Sequence, residues 1–331
     1  MGDDTTDVID WLLDGDPAIR WQVRRDLLDG PDDEIAAERA RVAREGWGAE
    51  LLSLQGDDGT WAGTEYGPNR ERNSTMWTLQ VLRNLGIDPA DPAVVTAIDR
   101  VRAGVASADF PGLRYFDGEE EACVNGGVLA NAAYFGALDV GQDRMLGLLD
   151  EGRKADGGWN CDPSERSSFD STLCVLEGLL AWERAVTSQG EADAPPSGLP
   201  TVAEVREWRH AGEEFLLERH LFRRRSTGEI VKDRYLNFTF PTYWFYDVLR
   251  ALDYFRDAGA EPDARLAEPL DLLAGGRRDD GTWAAGRPWP GVDAYELDAP
   301  EGEPSRWNTL RALRVLHWAG GADAAQLSDG R

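Results

Sequence analysis

The sequence predicts an all-α chain assembled from repeated helical pairs, and three observations carry that prediction. A short turn ending in tryptophan recurs three times. Each copy is followed by a polar cap and then an apolar helical stretch. The copies are spaced close to multiples of one unit length, the signature of a repeat architecture.

The turns read Gln55-Gly56-Asp57-Asp58-Gly59-Thr60-Trp61, Lys154-Ala155-Asp156-Gly157-Gly158-Trp159 and Arg278-Asp279-Asp280-Gly281-Thr282-Trp283. Asp-Gly and Gly-Gly supply the positive φ of a tight turn. The tryptophan then offers a broad face that can seal the seam between neighbouring helical hairpins.

The segments after the turns read Asn73-Ser74-Thr75-Met76, Asp170-Ser171-Thr172-Leu173 and Trp307-Asn308-Thr309-Leu310. Ser, Thr, Asp and Asn favour helix N-termini. Weaker copies are Phe240-Pro241-Thr242-Tyr243, with proline near a first turn, and Cys123-Val124-Asn125-Gly126. Trp61 and Trp159 lie 98 positions apart, and Thr75 and Thr172 lie 97 apart. Each interval is two units of about 49 residues, with the Cys123 segment midway. Later units are longer, with the extra length in loops around 187–200, 222–239 and 284–304.

This register predicts apolar inner helices starting near 17, 73, 123, 169, 240 and 305. One-sided outer helices fall near 33–54, 91–103, 141–152, 202–218 and 263–275. Glu229-Ile230-Val231 is the one short strand the pattern suggests.

Composition bounds the function. The chain has 331 residues, 42% of them hydrophobic, and a formal charge of −26. So acidic a surface repels nucleic acid and anionic membranes. No stretch approaches the roughly 18 apolar residues of a membrane span. The acidic N-terminus is unlike a secretory signal, so the expected location is cytoplasmic. Three cysteines, an odd number in so long a chain, argue against a disulfide framework. The three histidines form no His-x-x-x-His pair and the cysteines no Cys-x-x-Cys pair, so neither metal nor cofactor is expected.

The Asp-Gly-x-Trp turns with their capped apolar helices resemble the prenyltransferase and squalene-oxidase repeat of the terpenoid-cyclase and protein-prenyltransferase superfamily. The resemblance covers about residues 47–320. It implies a single (α/α)6 toroid over 1–331, with N-terminal helices in 7–45 completing the ring. The opening Asp16-Pro17-Ala18-Ile19-Arg20-Trp21-Gln22 also resembles single-toroid bacterial proteins grouped as squalene cyclases.

The same resemblance points to Asp170 as the acid. Cyclases of the family protonate an alkene with Asp-x-Asp-Asp before a threonine. Here the matching stretch is Ser168-Phe169-Asp170-Ser171-Thr172, with serines replacing two acidic residues. In an apolar pocket Asp170 would suit general-acid work; as a plain residue it would cap its helix. The family's prenyltransferases hold zinc through Asp-x-Cys and a distant histidine. Asp170-Ser171-Thr172-Leu173-Cys174 has another spacing, and His317 lies beyond the equivalent helix start.

Other candidates follow from position. Cys123 and Cys161 flank inner-helix starts, where a thiolate nucleophile or soft ligand would be stabilised; the plainer role is buried packing. Asn73, Asn125 and Asn308 recur at equivalent helix starts, as a polar ring around a ligand or as caps. Trp77, Tyr134, Tyr243, Trp244, Tyr246 and Trp307 would line a cavity, or else pack between helices. Glu119-Glu120-Glu121, Asp293, Glu296 and Asp298 are acidic loop residues. Arg223-Arg224-Arg225 is a basic cluster able to take a diphosphate or a carboxylate.

The leading expectation is a terpene-cyclase-like toroid acting on a small apolar or isoprenoid molecule in a central cavity, through acid-catalysed cyclisation or isomerisation. The alternatives are a non-catalytic toroid binding a lipid or a protein, and a cysteine-assisted dehydratase or isomerase.

Overall fold

The structure is a computed structural model that describes residues 3–66, 73–107, 109–188, 190, 198–259, 261–289 and 295–320. Among the described residues the regular structure is almost all helical, with thirteen α-helices and one two-stranded ribbon. Among the described residues no helix is long and apolar enough to cross a membrane.

The helices alternate in role. One series is α2 (Pro17–Asp26), α5 (Thr75–Leu85), α7 (Ala122–Tyr134), α9 (Phe169–Ser188), α11 (Val248–Asp257) and α13 (Arg306–Trp318). Five of the six begin within two residues of their expected starts. The exception is α11. Tyr243 holds a positive φ of 52°, which interrupts helical backbone, and the helix starts only where the Asp247 carboxylate accepts from Arg250 N at 2.7 Å.

The other series is α3 (Asp32–Arg39), α4 (Gly46–Ser53), α6 (Pro92–Gly104), α8 (Gln142–Glu151), α10 (Val202–Leu217) and α12 (Ala267–Gly275), with α1 (Asp3–Leu13) at the start. The single helix expected over 33–54 is two. Gly46 has φ +60°, and a Cβ there would meet the Asp16 carboxylate at 1.9 Å. That carboxylate accepts from Trp47 N at 2.9 Å, so the chain must turn at Gly46. The pattern at Glu229-Ile230-Val231 gives only an isolated bridge, Arg223 to Ile230. The ribbon β1 (Trp283–Ala284) and β2 (Pro304–Ser305) pairs antiparallel, Trp283 opposite Ser305.

The three tryptophan turns are alike in detail. Each indole is fully buried and donates Nε1 to the carbonyl ten residues earlier: Trp61 to Leu51 at 2.7 Å, Trp159 to Leu149 at 2.7 Å, Trp283 to Leu273 at 2.8 Å. Each backbone N–H donates to the threonine that opens the next helix, Thr75, Thr172 and Thr309, at 3.2, 3.0 and 2.9 Å. The tryptophan therefore ties the helix before it to the helix after it.

The glycine of each turn presses on a helix of the second series. A Cβ at Gly59 would meet Arg100 O on α6 at 2.5 Å, and one at Gly157 would meet Ala211 O on α10 at 2.6 Å. A Cβ at Gly281, in the third turn, would meet Val8 on α1 at 2.8 Å, which brings the end of the chain against its beginning. The same ends meet where Arg306 donates to Trp11 O at 3.2 Å and Arg314 donates to Gln22 Oε1 at 2.8 Å. Between them, α7 and α9 approach backbone to backbone at Gly126 and Gly178, where a side chain would collide with the opposing carbonyl.

Candidate functional site

Residues from α2, α5, α7, α9, α11 and α13 line one cavity of about 670 Å³, a size that suits a small-molecule ligand. The lining comes from the C-terminal halves of most of these helices. Ala130, Ala133 and Tyr134 close α7, and Leu180, Ala181 and Arg184 lie along the second half of α9. Trp21, Phe240 and Trp307 add aromatic surface.

The character of the cavity is set by arginine. Arg83 (α5), Arg184 (α9), Arg250 and Arg256 (α11), and Arg311 and Arg314 (α13) all line it. Arg25 and Arg39 complete the set from α2 and α3. The acidic residues of the lining are Glu177, Asp253 and Asp257.

Most of these cations are held by defined partners. Arg250 grips Glu177 with two bonds, at 2.8 and 2.9 Å. Burial alone would raise the Glu177 pKa; Arg250, Arg83 and Arg311 outweigh it and hold the carboxyl below its ordinary value. Asp253 sits among Arg314, Arg256 and Arg311, which likewise overcome burial and keep it ionised. Arg39 donates to Gly86 O at 2.8 Å and to Tyr134 OH at 3.1 Å, and the Tyr134 hydroxyl donates in turn to Ile87 O at 2.6 Å.

Of the site residues suggested by the sequence, Tyr134 and Trp307 line this cavity. Trp307 stacks on Phe240, ring centroids 4.0 Å apart, and donates to Leu297 O at 2.9 Å.

Asp170 lies elsewhere, buried in the first turn of α9. Its carboxylate accepts from Tyr235 OH at 2.9 Å, from Tyr246 N at 3.0 Å and from Lys232 Nζ at 3.3 Å. Phe169, Tyr235 and Tyr246 pack edge to face or tilted around it, with centroids 4.7 to 5.4 Å apart. Burial, then the Asp170 charge, push the Tyr235 phenol well above its ordinary pKa. Three donors on one carboxylate make Asp170 an anchor for the 232–246 segment.

Cys123 and Cys161 are joined as a disulfide, their Cα atoms 6.4 Å apart. This corrects the expectation drawn from an odd cysteine count, and neither sulfur is a free nucleophile in this state. The pairing follows from the fold: α7 begins beside the loop after the Trp159 turn because α7 and α9 pack together. Glu121 completes a group whose ligand atoms lie within 4.8 Å of one another, and it would hold a metal ion only with both sulfurs reduced. Burial, then Glu119 and Asp162, raise the Glu121 pKa. The third cysteine, Cys174, is buried, and its thiol is pushed up to about 11 by burial.

The asparagines tie loops to helices. Asn125 accepts from Glu119 N at 2.8 Å and donates to Glu119 O at 3.0 Å. Asn308 donates to Phe238 O and Ala284 O, both at 2.9 Å. Asn73 precedes the Ser74 cap, and its carbonyl accepts from Thr78 Oγ1 at 3.2 Å. Trp77 packs edge-on against Tyr243, and Trp244 stacks on Phe245. Arg223 pairs with Glu268 and Arg225 with Glu218 on the outside of the fold. Asp298 is held by Ser305 Oγ at 2.6 Å, and burial raises its pKa to about 6. Asp293 lies outside the described residues.

No family model matches the chain, and no curated protein matches it. Among solved structures, a crystal structure of a protein from Actinoplanes aligns over 92% of this chain and 90% of its own, at 16% identity and a TM-score of 0.42.

Proposed function

We propose that the chain is an α/α toroid that binds a small molecule in the cavity enclosed by its inner helices. The observation that carries this reading is the lining: six successive alternate helices contribute to one cavity. Two features support the ring. The first two tryptophan turns press on α6 and α10, and the third presses on α1. The resemblance to the terpenoid-cyclase and prenyltransferase superfamily rests on those same turns. The body of an isoprenoid or similar apolar group fits against Trp21, Leu180, Phe240 and Trp307.

Native mass spectrometry of freshly purified protein tests the reading. Wild type is expected to carry a labile small-molecule mass. Ala133→Trp, which places an indole in the cavity from α7, is expected to lose it. Equal retention in both proteins would put the ligand elsewhere.

A second reading is acid-catalysed rearrangement of an isoprenoid at Asp170. The observation favouring it is a buried carboxyl ringed by Phe169, Tyr235 and Tyr246. It predicts that Asp170→Asn abolishes turnover while leaving ligand retention intact; undiminished turnover would end it.

A further inference from the structure

The cavity stands out by its charge. The chain as a whole carries −26, yet among the described residues the lining holds eight arginines against three acidic residues. Asp26, which pairs with Arg25 and with Arg314, adds a fourth acid at its edge. Among the described residues four positive charges are still in excess of the carboxylates that face them.

A structural account of these arginines accounts for part of the set. Helix C-termini carry partial negative charge and unpaired carbonyls that attract cations. Arg39 serves the end of α5 through Gly86 O, and Arg184 donates to Asp257 O at the end of α11. Arg250, Arg256, Arg311 and Arg314 have carboxylates.

Arg83 is left over. Among the described residues its one carboxylate contact is Glu177 at 3.8 Å, and Glu177 is already gripped by both arms of Arg250. Its Nε is buried without a hydrogen-bond partner. Burial lowers its pKa; Glu177 opposes the shift and Arg250 adds to it. A guanidinium held beside another guanidinium, with a donor unused, is costly in the empty protein. An oxyanion in the cavity would relieve it, because the guanidinium fork matches phosphate and carboxylate geometry.

We propose that the cavity selects a ligand bearing two or more neighbouring negative charges, a diphosphate ester or a di- or tricarboxylate, with Arg83 at the centre of the anion site and Arg184 at its mouth. This rests on the reading of the cavity as the ligand site. The acidic exterior and the cationic interior then act together. Anions are kept off the surface and held only where arginines outnumber acids.

Isothermal titration of the full chain with inorganic diphosphate, and separately with citrate, tests the proposal at low ionic strength. One site per chain is expected for at least one of the two, and the preference between them assigns phosphate or carboxylate. Binding is expected to weaken at least tenfold in Arg83→Met and in Arg184→Gln, and to be unchanged in Arg223→Ala, whose guanidinium pairs with Glu268. Arg184 is exposed, so its variant keeps the test available if Arg83→Met does not fold. No binding of either anion by wild type would overturn the proposal. So would binding that neither cavity variant weakens. An uncharged molecule retained by wild type and lost from Ala133→Trp would uphold the cavity and overturn its anion specificity.

Discussion

Replacing Arg83 by methionine should make the empty protein more stable while weakening its anion binding. Arg83 is 16% exposed, and its pair with Glu177 is long, at 3.8 Å. A pair so loosely made contributes about 0–1 kcal/mol. Removing it leaves Glu177 with both bonds from Arg250, so no carboxylate is stranded. What is gained is release from holding a poorly partnered guanidinium in the interior; replacing a whole buried ion pair by apolar groups is neutral or stabilises by about 1–4 kcal/mol, and removing one loosely paired member gains part of that. The net expectation is a gain of about 1–2 kcal/mol. Urea unfolding in buffer free of multivalent anions reads it as a higher midpoint at unchanged slope. Repeating the unfolding with diphosphate present should narrow or reverse the difference, because ligand binding stabilises wild type more. A variant less stable than wild type by 1 kcal/mol or more in the anion-free buffer would make Arg83 a structural partner and not a poorly satisfied cation.

Four further outcomes follow from the fold. Gly157→Ala should destabilise by more than about 1 kcal/mol, because φ is +94° and the new Cβ meets Ala211 O at 2.6 Å; Gly147→Ala, in α8 with nothing within 4 Å, should stabilise by up to about 1 kcal/mol, and the pair is compared by urea unfolding. Trp159→Ala should cost about 3–5 kcal/mol by the same measurement, having removed a fully buried indole and its bond to Leu149 O. Asp170→Asn should cost about 2–3 kcal/mol through its charge-assisted bonds, and calorimetry showing an unchanged Tm would remove its anchoring role. Asp298 has a folded pKa of about 6 against an ordinary 3.8. Its folded form binds the proton more tightly, so its contribution is fully present below about pH 4 and is lost as pH rises towards 6 and beyond. Asp298→Asn should therefore gain on wild type as pH rises through that window, and parallel stability curves would contradict the assignment.

The helical plan was legible because its signals are local. Aspartate, glycine and threonine specify the turns, and a cap followed by an apolar run specifies each helix start. Five of the six starts in the first helix series follow from those signals alone. The misses have tertiary causes. Gly46 breaks the 33–54 helix because Asp16, thirty positions away, occupies the space a side chain would need. The start of α11 is displaced by Tyr243, whose positive φ no local pattern announces. The Cys123–Cys161 bond depends on how closely α7 and α9 pack.

The candidate site was harder to see. A reading weighted towards helix N-termini led to Asp170, the cysteines and the asparagines, while the cavity gathers the opposite halves of the helices. A sequence signal for it existed. Arginine recurs in the later turns of the first helix series, as Arg83, Arg184, Arg256 and Arg314. A charged residue in such a helix needs a partner or a ligand. The chain's overall negative charge masked that pattern, because net charge describes the exterior.

Diffraction from crystals grown with tungstate would place the bound anion without reference to activity, through the anomalous signal of the metal. A strong peak is expected inside the cavity, within contact of Arg83 and on the side of Arg184. Peaks confined to the outer surface, at Arg223–Arg225 or elsewhere, would contradict it.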